Sequence, residues 1–376
     1  MTLISGRRCL AGNSLLVLAL LLRSDGIGAD ETSIPSIQPI LKQARAAETR
    51  EQHRAATKAA LEAAETAIGA DEFALAIQFL NVAAGSASNS DSPWMQRQVS
   101  VRKDEAAAMS KEFRKIGRDV KTLEMNASDG KARVAVGRFQ SLVKGEWKEG
   151  LQNLAKGADP ALATLASLDL NAGDPRKGSL EVAQAWATQA EKESSTPARK
   201  AMQWRAYLWV QEPYKSGLSD NDRATAEEIM SASPKRYLSD MSEHEVKNGA
   251  HPFAKYGDAG VGKRIQVDGM LSPYGIGLHP PNKGYAAVSY LLNGKYTSFV
   301  SGYGINKPPD KAQVPVTFAV FGDGKLLWRS PPITAVDHID VCQVNFKGVR
   351  ILELRTEARD TAYGAHCCWI EPYIAR

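Results

Sequence analysis

The residues in this chain whose types and spacing could do chemistry lie between Ser242 and the C-terminus. Gly257-Asp258-Ala259-Gly260-Val261-Gly262-Lys263 has the glycines and the lysine of a phosphate-cradling loop. Such a loop needs Ser or Thr after the lysine to hold Mg²⁺, and then a helix. Here Arg264 follows, Ile265-Gln266-Val267 reads as a strand, and no apolar strand precedes the motif, so we read a glycine-rich turn. Ser242-Glu243-His244-Glu245 lacks the second histidine of a metalloprotease helix, and no G-x-S-x-G elbow occurs. Cys342, Cys367 and Cys368 could form one disulfide in an oxidising compartment and leave one thiol over. Neighbouring strand residues face opposite ways, so Cys342 could bridge Cys367 or Cys368 but not both. A metal site drawn from His338, Cys342, His366 and Cys367 lacks the paired spacings of zinc modules. The reading is therefore of a protein with no catalytic residues and no metal ligands. An enzyme acting on polysaccharide stays as a third alternative, because carboxylate pairs for glycoside hydrolysis carry no local pattern.

These residues need a framework, and the chain provides two kinds. After residue 252 the pattern alternates with period 2. VSYLLNGKYTSFV (288–300) and VTFAVFGDGKLLWRS (316–330) each read as a β-hairpin about a two-residue turn, Asn293-Gly294 and Asp323-Gly324. Type I′ turns need positive φ at both central residues, which Asn-Gly and Asp-Gly tolerate. We expect about eight or nine antiparallel strands, starting near Gly262, in a two-sheet sandwich.

Before residue 235 the chain is helical. Residues 40–86 are rich in Ala, Glu, Gln and Lys. Small residues recur at Ala60, Ala63, Ala64 and Ala67, then at Ala76 and Ala83, around a Gly69-Ala70-Asp71 break that precedes Phe73. This resembles a tetratricopeptide-like helical hairpin. Val134 to Leu168, with Gly145-Glu146-Trp147 at its turn, is a second candidate, and Leu180 to Glu191 with Pro197 to Tyr214 a third. Trp94 to Met125 reads as one long charged helix, kinked near Gly117. Trp186, Trp204, Tyr207 and Trp209 read as inter-helix core. The whole is expected to be an irregular α-solenoid over 30–235, joined by a polar linker at 236–252 to a β-domain at 253–376.

The N-terminus reads as a secretory signal over 1–29: Arg7-Arg8, the apolar run Ser14 to Leu22, and cleavage after Ala29. Retention as a membrane anchor is the alternative, although the run is short for a bilayer. The chain of 376 residues carries a net charge of +5, of which residues 1–29 supply Arg7, Arg8, Arg23 and Asp25. What remains is small and scattered, which argues against nucleic acid as a partner. The expected location is secreted or periplasmic, with no transmembrane span in the mature chain.

Over roughly the last third, the order and spacing of the motifs resemble the NPCBM family of carbohydrate-binding modules. The matching stretches are Tyr274-Gly275-Ile276-Gly277-Leu278-His279, then Tyr290 to Tyr303-Gly304-Ile305-Asn306, then Phe318 to Ser330, Gly348 to Leu354, and His366-Cys367-Cys368-Trp369. The helical layout, with VKGEWKEGLQNLAKGADPAL (143–162), is similar to secreted bacterial proteins that carry such a module. The resemblance implies a galactose-binding-like jelly roll, a carbohydrate ligand, and no cofactor beyond a structural calcium. Sugar recognition uses aromatic faces and planar polar side chains. The candidates are Tyr274, His279, Tyr303, Asn306, Tyr363, His366 and Trp369, with Trp369 and Trp328 more suited to a core and Asp323-Gly324 assigned to its turn. The function implied is non-enzymatic binding of polysaccharide with the helical half as scaffold. The alternative is a scaffold that takes a protein partner in its helical groove.

Overall fold

The computed structural model describes residues 34–306 and 314–376, and the signal expected at 1–29 lies outside them. Among the described residues eleven α-helices come first: α1 (Ile37–Ala46), α2 (Arg50–Gly69), α3 (Phe73–Ser88), α4 (Pro93–Lys115), α5 (Gly117–Met125), α6 (Gly130–Arg138), α7 (Trp147–Ala155), α8 (Pro160–Ala172), α9 (Leu180–Lys192), α10 (Thr196–Ser216) and α11 (Asp220–Ala232). Their starts follow from local chemistry. Thr49 and Gln52 form a capping box, and Ser92, Asp129, Asp159, Ser179 and Ser219 accept from first-turn amides. The expected break near Gly117 falls at Ile116. Helices pack against their sequence neighbours, α2 on α3 and α9 on α10 above all. Ala60, Ala64 and Ala67 of α2 and Ala76 and Ala83 of α3 are fully buried, so small side chains let the two helices approach.

A π-helix (Phe139–Lys144) follows α6 and ends at Gly145 in the left-handed region. The aromatic cluster behind it is core, as expected, but it encloses a charge. Asp169 is fully buried and accepts from Trp186 Nε1 (2.6 Å), Trp209 Nε1 (2.8 Å) and both forks of Arg205 (2.9 and 2.5 Å). Each lone pair removed from water has been given a donor, which is the condition for burying an ion pair at tolerable cost.

Twelve strands follow among the described residues: β1 (Lys235–Tyr237), β2 (Glu245–Lys247), β3 (Gln266–Val267), β4 (Met270–Leu271), β5 (Ile276–Gly277), β6 (Gly284–Leu291), β7 (Ser298–Ile305), β8 (Val316–Gly322), β9 (Lys325–Arg329), β10 (Ile339–Asn345), β11 (Ile351–Ala358) and β12 (Cys367–Ala375). One sheet runs β1-β12-β7-β10, with β5 also on β12; the other runs β2-β6-β11-β8-β9; β3 and β4 form a small ribbon. The named pairs are antiparallel. Phe299, Tyr303, Phe318, Leu354 and Trp369 fill the space between the sheets.

Three expectations are corrected. Residues 236–252 are not a linker throughout, because β1 pairs with β12 and β2 with β6, adding an edge to each sheet. Those strands are only three residues long and polar, which hides them from a periodicity reading. Asn293-Gly294 does form a turn with positive φ at both residues (52° and 70°), yet β6 and β7 belong to different sheets, so it is a crossover and not a hairpin. The turn docks on the segment before β11, Gly294 N donating to Val349 O at 3.0 Å. Finally, Cys342, Cys367 and Cys368 are unbridged, buried thiols. β7 lies between β10, which carries Cys342, and β12. Two strand spacings come to roughly 9.6 Å, beyond the reach of a disulfide.

The outer face of the first sheet is covered by the helical half. Trp94 of α4 packs with Ile265, Val267, Ile339, Cys368 and Ile370. Farther along, Tyr207 and Gln211 of α10 donate to the buried carboxylate of Asp240, the latter at 2.7 Å, and Tyr274 stacks on Tyr237 with ring centroids 3.9 Å apart. Arg54 pairs with Asp268 at 3.0 Å.

Candidate functional site

One end of the sandwich gathers the ends of β5, β7 and β11 and the starts of β6 and β12. Four of the seven candidate residues lie there, and the sheet register explains why. β12 pairs with both β5 and β7, so residues leaving β5 and β7 meet residues approaching β12. Leu278 N donates to Cys367 O at 3.1 Å and Asn306 N to His366 O at 2.8 Å, extending both ladders to the rim.

His279 is the post of this rim. Its side chain is buried, with ring nitrogens facing Ala365 O at 3.2 Å and Ala259 O. Burial holds its pKa below the ordinary value, and the two carbonyl contacts partly offset that. The chain passes so close to its backbone that a Cβ at Gly249 would lie 1.9 Å from His279 O, and only glycine fits there.

Three imidazoles meet edge to face about this post. His251 and His279 have ring centroids 5.2 Å apart, His279 and His366 5.6 Å, and His251 and His366 6.0 Å. Edge-to-face packing sets positive ring edges against π faces. His251, in the loop after β2, is exposed, and His366 is half-buried. Asn282 Oδ1 accepts from Ala362 N at 2.9 Å, joining the β5–β6 loop to the turn that presents Tyr363. That turn is tightened by Gly364 at φ 73° and by Ala365 N donating to Ala362 O at 2.9 Å. Tyr363 itself is 60% exposed. The rim thus offers a projecting phenol, imidazole edges, and the polar side chains of Asn282 and Thr361, a set able to stack on a ring and bond hydroxyls.

Asn306, at this same end, and the three candidates away from it serve the framework. Asn306 spends its amide on Gln266 N (3.3 Å) and Arg264 O (3.1 Å), holding the loop before β3 to the end of β7. Tyr303 and Trp369 lie inside the sandwich, where Tyr303 packs on Phe318 at 5.0 Å and Trp369 on Phe318 at 5.1 Å. Strand alternation turns both inward, so neither can meet a ligand on the surface. Tyr274 lies at the junction with the helices, its hydroxyl 3.3 Å from Gln211 Oε1. Sequence reasoning missed His251 and Asn282; a lone histidine and asparagine in polar loops carry no pattern until the loops are folded together. Among the described residues no group of three or more His, Cys, Asp or Glu stands where it could hold a metal ion.

Residues 234–375 match the family model of the NPCBM/NEW2 domain. No curated protein matches the chain. Among solved structures it is similar to the CBM51-2 and INT domains of ZmpB from Clostridium perfringens, at 22% identity and a TM-score of 0.34, over 38% of this chain and 32% of that one. It is also similar to the tandem CBM51 modules of a family 98 glycoside hydrolase from Streptococcus pneumoniae (19% identity, TM-score 0.33, 38% and 47% of the two chains). A third likeness is the CBM51 of Clostridium perfringens GH95 in complex with methyl-galactose (18%, 0.31, 38% and 99%). The chain spans about a third of the length of the ZmpB structure it matches. Among the described residues no helix is long and apolar enough to cross a membrane.

Proposed function

We propose that the C-terminal NPCBM domain binds a carbohydrate at the rim formed by His251, Asn282, Tyr363 and His366, as part of a secreted, non-enzymatic protein. The helical half holds the module by covering the outer face of its first sheet, which leaves the rim open. One observation carries this reading: within a domain of a carbohydrate-binding family, the exposed Tyr363 ring stands on the same rim as the imidazole cluster. A phenol ring can stack on the apolar face of a sugar while an imidazole and an amide bond its hydroxyls.

The test is a glycan array probed with the full chain, followed by calorimetry on the glycans retained. Tyr363→Ala and His366→Ala are expected to weaken binding at least tenfold without changing the melting temperature. Leu326→Ala, exposed on β9 of the other sheet, is expected to leave it intact. An array with no bound glycan, or binding unmoved by both rim variants, overturns the reading.

A further inference from the structure

A cavity of about 680 Å³ lies between the two halves, away from the rim, walled by α4, α6, the π-helix and α10 on one side and by β1, β7 and β12 on the other. Its size and largely apolar wall are those of small-molecule sites, which join apolar surface to a few placed polar groups. Val101, Met109, Phe139 and Val143 supply apolar wall. The π-helix contributes two of these, and π-turns are found disproportionately at functional sites.

Some polar groups of the wall are not spent on the fold. Trp94 Nε1, Trp204 Nε1, Arg97 Nε and Glu371 Oε2 are buried without a partner, and all four residues line the cavity. Trp94, Trp204 and Glu371 are each more than nine-tenths buried. Native proteins seldom leave such groups unsatisfied, since a buried donor or acceptor without a partner has lost its water for nothing. Glu371 is held there by a local irregularity: the β12–β7 register shifts between Ile370 and Tyr373, and Glu371 takes a positive φ of 49°. A bulge re-aims a side chain, and a strained non-glycine residue persists where the surroundings enforce it. Its other oxygen accepts from Ser272 Oγ (2.9 Å) and Tyr274 N (3.0 Å).

Lys235 completes the polar set. Its ammonium donates to a phenol, Tyr237 OH at 3.0 Å, and lies 4.1 Å from the Tyr373 ring centroid and 4.3 Å from that of Tyr237. Burial lowers its pKa; Glu371 and Glu105 pull it up and Arg97 pushes it down. Three unused N–H donors and a lysine line the same cavity as one unused acceptor, a surplus of donors that suits an anion.

We propose that this cavity binds an amphipathic carboxylate, with the apolar chain along α4 and the π-helix and the carboxylate among Lys235, Arg97 and the two indole N–H groups. An anion there favours the charged ammonium. Binding therefore takes up a proton once the pH exceeds the lysine's value in the free protein, and affinity falls as pH rises. The other groups facing Lys235 are Arg97 and Glu105 of α4, Lys200 of α10, and Glu371 and Tyr373 of β12.

Dodecanoate, kept below its micelle concentration, is titrated into the full chain by calorimetry in buffers of different ionisation heat. One site is expected, with proton uptake on the alkaline side and a change in indole fluorescence. Lys235→Met is expected to weaken it at least tenfold and abolish the proton uptake. Ala135→Trp, which fills the wall from α6 without touching Lys235, is expected to abolish binding, and it keeps the test decisive should Lys235→Met fail to fold. Dodecyltrimethylammonium is expected not to bind. Absence of dodecanoate binding, equal binding of the cation, or binding unmoved by Ala135→Trp overturns the proposal. None of these outcomes bears on the glycan rim.

Discussion

The indole of Trp94, on α4, packs against Gly302 in the middle of β7, where an added Cβ would lie 3.3 Å from indole Cε3. The same Cβ would stand 2.8 Å from Ile339 Cγ2 and 2.9 Å from Ile370 Cβ. A glycine inside a strand weakens the strand unless something must come close. Here the helical half comes close, and Trp94 is 8% exposed as a result.

Trp94→Ala is expected to cost about 3–5 kcal/mol, and Gly302→Ala about 1–3 kcal/mol by overpacking. In urea, the single unfolding transition should separate into two in Trp94→Ala, with the far-UV helical signal lost in one of them. One coincident transition at the wild-type midpoint would show that the indole does not couple the halves.

Asp169→Asn should be far more damaging than its chemistry suggests. It leaves Arg205 charged and buried without its counter-ion, between the Trp147 ring (4.7 Å) and the Trp209 ring (5.5 Å). The expected loss is about 3–5 kcal/mol. Asp174→Asn breaks the Arg176 pair, whose side chains are 88% and 35% exposed, and should cost under about 1 kcal/mol. Equal midpoints for the two variants in denaturant melts would refute the distinction.

Stability should depend on His279 below neutrality. Its pKa in the fold is depressed from 6.5 by burial, so the unfolded chain takes the proton first as pH falls. Its contribution is present above about 6.5 and is lost as pH falls through and below that value. His338 runs the other way: the Asp340 hydrogen bond raises it, so its contribution is present below about 6.5 and lost as pH rises through its folded value. From about pH 7 down to about pH 5 the melting temperature of His279→Gln should rise relative to that of the wild type, and that of His338→Gln should fall relative to it. A slope unchanged in His279→Gln would contradict the assignment.

The three described cysteines should be silent to a thiol reagent. Burial raises Cys342 and Cys367 above their ordinary value and pushes Cys368 up to about 12, so thiolate is scarce and access is closed. No labelling is expected in the native protein at about pH 8, and all three should react in denaturant without prior reduction. Rapid native labelling, or a need for reductant, would be inconsistent with buried free thiols.

The turns compare local and distant control directly. Asn293-Gly294 and Asp323-Gly324 both adopt the positive φ their types favour. Gly324→Ala, with open space around it, should cost about 1–2 kcal/mol from the left-handed backbone alone. A loss well beyond that in a thermal melt would mean that the turn does more than reverse the chain.

Much of the fold was legible from short-range chemistry. Capping residues such as Thr49 and Ser92, the alanines of α2 and α3, and the alternation through Val316, Phe318 and Val320 each act within a few residues, so they can be read in order along the chain. The two-part division and the resemblance of the last third were readable for the same reason. The candidate site was only half legible. Ring and amide types drew attention to segments that meet at the rim, but nothing in the spacing says which rings face inward. Tyr303 and Trp369 went to the core because β12 and β7 lie register to register under the second sheet.

What the sequence determined by itself is where the chain turns, caps and alternates, because those choices are settled by neighbours at short range. Tertiary structure decided which strands pair, and with that the rest. It made the Asn293-Gly294 turn a crossover, set β7 between the cysteines, recruited β1 and β2 as edges, and brought His251 and Asn282 to His279 and Tyr363. Those outcomes depend on contacts between residues far apart in the chain, chosen by which faces could be buried together, and no local pattern encodes that choice.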